Sequence, residues 1–198
     1  MPESTSRRDL SAEATRAELL EAARAMFARD GYAGTSLVDV AKAANATTGA
    51  IYHHFKDKKG LFRAVAEAVE QDLMTRIAAI AFNETDPWAQ LRAGVSALLE
   101  ISAEPQVARI IFHEAPTVIG AAQWREIEKR FAFGALIEML RGLKNAGASR
   151  IQNPELTASI LLGAFIEAAT TVALADDKPT VLAEARAAIL HIIEALRG

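Results

Sequence analysis

Four histidines, His53, His54, His113 and His191, are the first residues in this 198-residue chain with types suited to chemistry. Their spacing argues against a metal site. His53 and His54 are adjacent, so on a helix they point about 100° apart and do not chelate one ion easily. The chain has no G-x-x-x-x-G-K-[ST], no H-E-x-x-H and no G-x-S-x-G, so phosphate-loop, zinc-protease and serine-hydrolase chemistry have no carrier. Zero cysteine removes thiol catalysis, iron–sulfur ligation and a disulfide scaffold, and fits a reducing compartment. The expectation is a protein without enzymatic activity, cofactor or metal.

The other chemistry-bearing cluster lies at residues 47–59. Thr47, Thr48, Gly49, Tyr52 and His53 fall on the outward face of a short helical pattern whose inward residues are Ile51 and Phe55, with Ala50 and His54 alongside. Small residues at a helix start permit close approach to base edges, and the free N–H groups and hydroxyls there suit phosphate oxygens. Lys56, Lys58 and Lys59 stand against one acid, Asp57, and Lys58 can add a point charge. Net charge is −3, yet residues 1–60 hold nine Lys/Arg against eight Asp/Glu while residues 61–198 hold thirteen against seventeen. The balance thus favours phosphate only in the N-terminal part. Arg7 and Arg8 either reach a minor groove or form a solvated terminus.

These residues need a scaffold, and the apolar spacing supplies one. Leu19, Ala22, Ala23, Met26 and Phe27 make one face of a helix with Thr15 (or Ser11, for a longer version) as its cap and Gly31 as its stop. Thr35 or Ser36 caps a second helix, with Leu37, Val40, Ala41 and Ala44 inward. Asn45 suits a left-handed end, and Thr47 caps a third helix after a turn of about three residues. That is a helix-turn-helix arrangement. Periodicity alone leaves open a plain bundle corner with surface aromatics.

Thr15 to Val65 resembles the DNA-binding domain of the TetR family of bacterial regulators. The matching pieces are A-x-x-x-F-x-x-x-G-Y-x-x-T-S-L, then V-A-K-A-A, then T-x-G-A-I-Y-H-H-F-K-x-K-x-x-L-F. The resemblance implies that Ser36, Thr47, Thr48, Gly49, Ala50, Tyr52, His53 and Lys58 face DNA. It implies phosphate contacts from Tyr52, His54 and Lys58, and places Thr48, Gly49 and Ala50 nearest the bases. Asn45 and Ala46 depart from the family's usual glycine and bulky apolar residue; asparagine keeps the left-handed turn, while alanine packs less under the third helix. No Arg, Gln or Asn on that helix's exposed face pairs bidentately with a base, so specificity falls to thymine methyls, backbone geometry and DNA shape.

The remainder reads as a helical bundle. Leu61, Phe62, Val65, Val69, Leu73, Ile77 and Ile80 predict a long helix from Asp57 to Ile80. Asp86–Pro87 and Glu104–Pro105 start the next two, the second ending at Pro116. Ala121–Ala146, a helix from Pro154 to Ala175 and a last one opened by Pro179–Thr180 follow. The expected fold is all-α, with about nine helices: a flexible arm at 1–14, a three-helix DNA-binding domain at 15–62, and a ligand-binding and dimerisation bundle at 63–198. The 154–175 helix is apolar nearly all round, and the last helix has its own apolar stripe. The two together predict a homodimer interface, a pairing the resemblance also implies.

Ligand-binding candidates in the bundle are Trp88, Arg109, Phe112, His113, Trp124, Phe131, Glu138, Glu167, Thr170 and Thr171. Glu167 interrupts an apolar helix, so it is paired, exposed or ligand-facing; the resemblance implies a ligand pocket there. The uncharged stretch Leu156–Ile166 is too short to span a bilayer, and no signal peptide opens the chain. The expected protein is cytoplasmic, binds a palindromic double-stranded operator as a homodimer, and is released by a small-molecule effector. Two other classes stay open: a sequestering protein with vestigial DNA affinity, and an enzyme using Glu167 as acid or base.

Overall fold

The computed structural model describes residues 7–147 and 149–197, with side chains from residue 11 onward. Helix α1 runs Arg7–Gly34 with a break at Gly31, whose φ of 75° no β-carbon tolerates well. The helix therefore begins within the stretch expected to be a flexible arm. Residues 7–14 contain neither glycine nor proline and simply extend the helix. Thr15 is consequently no cap: its hydroxyl donates to the Ser11 carbonyl one turn back, 3.0 Å away. The side chains of Arg7 and Arg8 lie outside the described residues.

Helix α2 spans Leu37–Ala43 and α3 spans Thr48–Phe55. Ser36 caps α2, accepting from the Val38 N–H at 3.2 Å; Thr35 is buried instead, its hydroxyl donating to the Gly31 carbonyl at 2.7 Å. Thr47 caps α3, accepting from the Ala50 N–H at 3.2 Å. Asn45 takes φ 48°, the left-handed turn expected of it, and Lys56 takes φ 70° after α3. The chain divides into two compact units, one ending at Ala68 and one running from Val69, so the division falls within α4 (Lys58–Ala81). In the first unit α1 packs on α2 and α3, around Leu19, Phe27, Val40, Ile51 and Phe62. The Phe62 ring meets Phe27 and Tyr32 edge-on, with centroids 5.1 and 5.3 Å away.

The second unit holds the rest of α4, α5 (Pro87–Ser102), α6 (Pro105–Val107), α7 (Ala121–Asn145), α8 (Pro154–Leu174) and α9 (Lys178–Glu194). Asp86, Asn153 and Asp177 each cap the helix that follows, accepting from N–H groups of Ala89, Leu156 and Thr180. Pro116 does not end a helix as expected. The chain winds on in π geometry over Ala108–Glu114 and Pro116–Gly120 until Gly120 breaks it at φ 105°. Pro116 stands at the first position of the second π segment, where its fixed φ suits a helical winding and a missing N–H is tolerated best. Among the described residues there is no strand, only a single bridge between Ser149 and Arg197.

Helix α8 packs against α5, α7 and α9 through Ala158, Leu161, Leu162, Phe165, Ala169 and Val172. Taken whole, its 21 residues are long and apolar enough to cross a membrane, which corrects the view from the uncharged stretch alone. Its buried face gives that apolarity a different use, as a core helix. Ile80, the last apolar position of the pattern along α4, is exposed, and so is Ile192 on the apolar stripe of α9.

Candidate functional site

The first candidate surface is the outer side of α3. Ile51 and Phe55 point into the core, which fixes the rotation of the helix and turns Tyr52 and His53 outward. Tyr52 is 57% exposed, a high value for a large aromatic residue. Thr47 and Gly49 are exposed, Thr48 and Ala50 half-buried, and Ser36 half-buried at the start of α2. Both cap hydroxyls accept a backbone hydrogen bond and keep a proton to donate outward. His54 is half-buried, its ring 5.1 Å from that of His53; burial, then His53 and Arg16, push its pKa below the ordinary histidine value. It is therefore a neutral donor near pH 7.

Lys58 is tied into the fold more than its sequence neighbourhood suggests. Its ammonium lies 4.7 Å from the centre of the Tyr32 ring and 3.4 Å from the Ala33 carbonyl oxygen. The start of α4 is equally constrained. Gly60 donates its N–H to Asp57 Oδ1 at 2.6 Å, and a β-carbon at Gly60 would stand 1.9 Å from the Phe55 carbonyl oxygen.

Alignment with known proteins bears on both units. The model for bacterial regulatory proteins of the tetR family matches residues 19–65, and the model for the tetracyclin repressor-like C-terminal domain matches residues 88–196. The chain belongs to the TetR family. The Tn10 transposon TetC protein of Escherichia coli is 30% identical over 194 residues, covering 91% of this chain and 93% of that protein. The probable acrEF/envCD operon repressor of Escherichia coli is 35% identical over 111 residues, half of this chain and 48% of the repressor, so the chain spans about half the length of that relative. A TetR-family transcriptional regulator from Pectobacterium atrosepticum superposes with a TM-score of 0.86 at 34% identity, over 97% of each chain. This TetR-family chain is thus a transcriptional regulator with a helix-turn-helix DNA-binding domain and an all-α C-terminal domain.

Within its second unit lies a cavity of about 200 Å³. The walls are Leu73, Met74 and Ile77 from α4, Leu91, Val95 and Leu98 from α5, Phe112, Ala132, Ala135, Leu136 and Met139 from the next segments, and Leu162, Phe165 and Ile166 from α8. Two carboxylates share it, Glu70 on α4 and Glu128 on α7. They are 5% and 8% exposed. Burial pushes Glu70 up to about 8, with the Glu128 charge adding to it. Burial likewise pushes Glu128 up to about 7, against the opposing pull of Arg125 and the Trp124 indole.

Of the ligand candidates read from the sequence, Phe112 alone lines this cavity. Trp88 and Trp124 are core residues; Phe131 is half-buried with the Arg130 guanidinium 5.0 Å from its centroid. Arg109 is half-buried, and His113, Glu167 and Thr171 are exposed. Thr170 and Thr171 donate back to the carbonyls of Ile166 and Glu167, and Glu138 pairs with Arg141 at 2.7 Å. Glu70 and Glu128 were legible in principle. Glu70 is in phase with Leu73, Met74 and Ile77, and Glu128 with Ala132, Ala135 and Met139, so each acid breaks an apolar stripe. Small alanines in that stripe are what leaves space open.

Proposed function

We propose that the protein represses transcription in the cytoplasm by binding a palindromic operator as a homodimer, and that a small molecule in the C-terminal cavity releases it. The exposed outer side of α3 carries this reading: a rigidly capped helix that leaves Tyr52, His53, Thr47 and Gly49 to the outside. Tyr52, His54 and Lys58 are the phosphate-side groups, Thr48, Gly49 and Ala50 the base-side groups, and Ser36 also faces the DNA. The named repressor among its relatives supports the repressing sign.

The dimer is assigned to α8 and α9. Leu156, Ile160 and Leu174 stand exposed along one side of α8, and Ile192 stands exposed on α9. Such apolar surface is costly in water unless a second copy covers it. A two-fold axis there would place two recognition helices roughly 34–36 Å apart, one turn of DNA. Release requires a ligand that binds the DNA-free state more tightly. Helix α4 is the natural carrier, since Lys58 and Glu70 stand on it about three turns apart.

Selection of bound sequences from a random double-stranded pool tests the reading. An enriched palindrome, with half-sites one helical turn apart, is the expected result. Folded, dimeric protein that enriches nothing would overturn operator binding.

A further inference from the structure

The cavity of the second unit contains two acids and no base. Among its lining side chains there is no Lys, Arg or His. Glu70 Oε2 has no hydrogen-bond partner although the residue is 95% removed from solvent. A buried acceptor in that condition costs free energy that the fold does not recover by itself. Something that enters the cavity with a donor recovers it.

The chemistry of that donor follows from the walls. An anion would meet two carboxylates and no counter-charge. A divalent metal wants about six oxygen ligands, and the cavity offers only Glu70, Glu128 and the Gln90 amide among apolar side chains. A neutral apolar molecule gains from burial but leaves Oε2 as it was. A cation with an N–H supplies both the charge and the hydrogen bond, and the rings of Phe112 and Phe165 in the same wall suit a cation as well. The size is also set: an apolar cavity of about 150 Å³ holds one benzene, so about 200 Å³ holds one ring with a short chain.

We propose that this cavity binds a small lipophilic ammonium ion, whose N–H donates to Glu70 Oε2 while Glu128 completes the negative charge. The proposal rests on the reading of this bundle as the effector domain and names the class of effector. Burial makes both acids hold their protons more tightly than ordinary carboxylates, with Arg125 opposing this at Glu128, so an ammonium ion must displace protons and binds more tightly as pH rises toward 8.

Calorimetry on the full chain, without DNA, tests it with two probes of one shape: 2-phenylethylammonium and the neutral 2-phenylethanol. The ammonium ion is expected to bind at least about tenfold more tightly. In Glu70→Gln that preference disappears while 2-phenylethanol binds within about twofold of its parent affinity. Glu128→Gln serves as the second variant, reducing the preference without erasing it. Equal binding of the two probes, a preference that survives Glu70→Gln, or no binding of either probe overturns the proposal. Operator release is measured separately. Ammonium binding with the Glu70-dependent preference but without DNA release upholds the ligand class and removes only the effector role.

Discussion

Lys58 places its ammonium over the Tyr32 ring and against the Ala33 carbonyl, so one side chain ties the first turn of α4 to the end of α1. The same residue is assigned a phosphate contact. Lys58→Ala is therefore expected to act twice. It should weaken operator binding about uniformly across sequences and flatten the salt slope by roughly one unit. It should also lower the melting temperature modestly, since an exposed cation–π contact is worth about 0.5–1 kcal/mol. A salt titration separates the two: a lower melting temperature with an unchanged slope would leave Lys58 as a brace only.

Tyr52 makes the complementary case, because it is exposed and outside the core. Tyr52→Phe removes only a hydroxyl. Operator affinity is expected to fall about tenfold, the worth of a hydrogen bond to a charged group, with no change in thermal unfolding. Unchanged affinity in a gel-shift titration would remove Tyr52 from the phosphate contacts.

Gly60 has no room for a side chain. A β-carbon there would stand 1.9 Å from the Phe55 carbonyl oxygen, which is backbone and cannot swing aside. Gly60→Ala should destabilise this unit by on the order of 2 kcal/mol and weaken operator binding with it. Calorimetric unfolding checks this, and an alanine variant that melts like the parent would mean that the α3–α4 corner relaxes freely.

Glu70 gives stability a pH dependence of definite sign. Its folded pKa of about 8 lies above the unfolded carboxylate value, so between about pH 4.5 and 8 the folded state holds a proton that the unfolded state has lost. Stability from this group is complete below that window and falls as pH rises through it, by up to about 1.4 kcal/mol per unit. Glu128, with its value near 7, adds to the lower part of the window. Glu70→Gln should flatten the decline and be the more stable protein at about pH 8. Denaturant unfolding of both proteins across this range checks it. The comparison cancels the opposite contribution of His54, whose pKa is depressed.

Ile160 tests the dimer. It is exposed on α8 between Leu156 and the exposed Glu167, so a charge there costs a single folded chain little. Ile160→Glu should bring two like charges together across a two-fold interface and shift sedimentation toward monomer. A dimer of parent strength would place the interface elsewhere.

Local signals fixed most of the architecture. Gly31, Asn45 and Gly147 each sit at positive φ where a helix must stop, and Ser36, Thr47, Asp86, Asn153 and Asp177 cap where their side chains reach one turn ahead. These are interactions within a few residues, so the chain's order of residues contains them. The outward set on α3 was legible for the same reason, since Ile51 and Phe55 four residues apart define the opposite face. What the sequence left open depends on partners distant in the chain. Pro116 ends a helix by local rule, yet the winding continues there in π geometry. Glu167 draws notice as an acid in an apolar helix but faces outward, whereas Glu70 and Glu128 each break an apolar stripe without the local sequence showing that the two stripes meet. Only the tertiary structure brings α4 and α7 to the walls of one cavity, and burial of two carboxylates there is a property of that packing rather than of either helix.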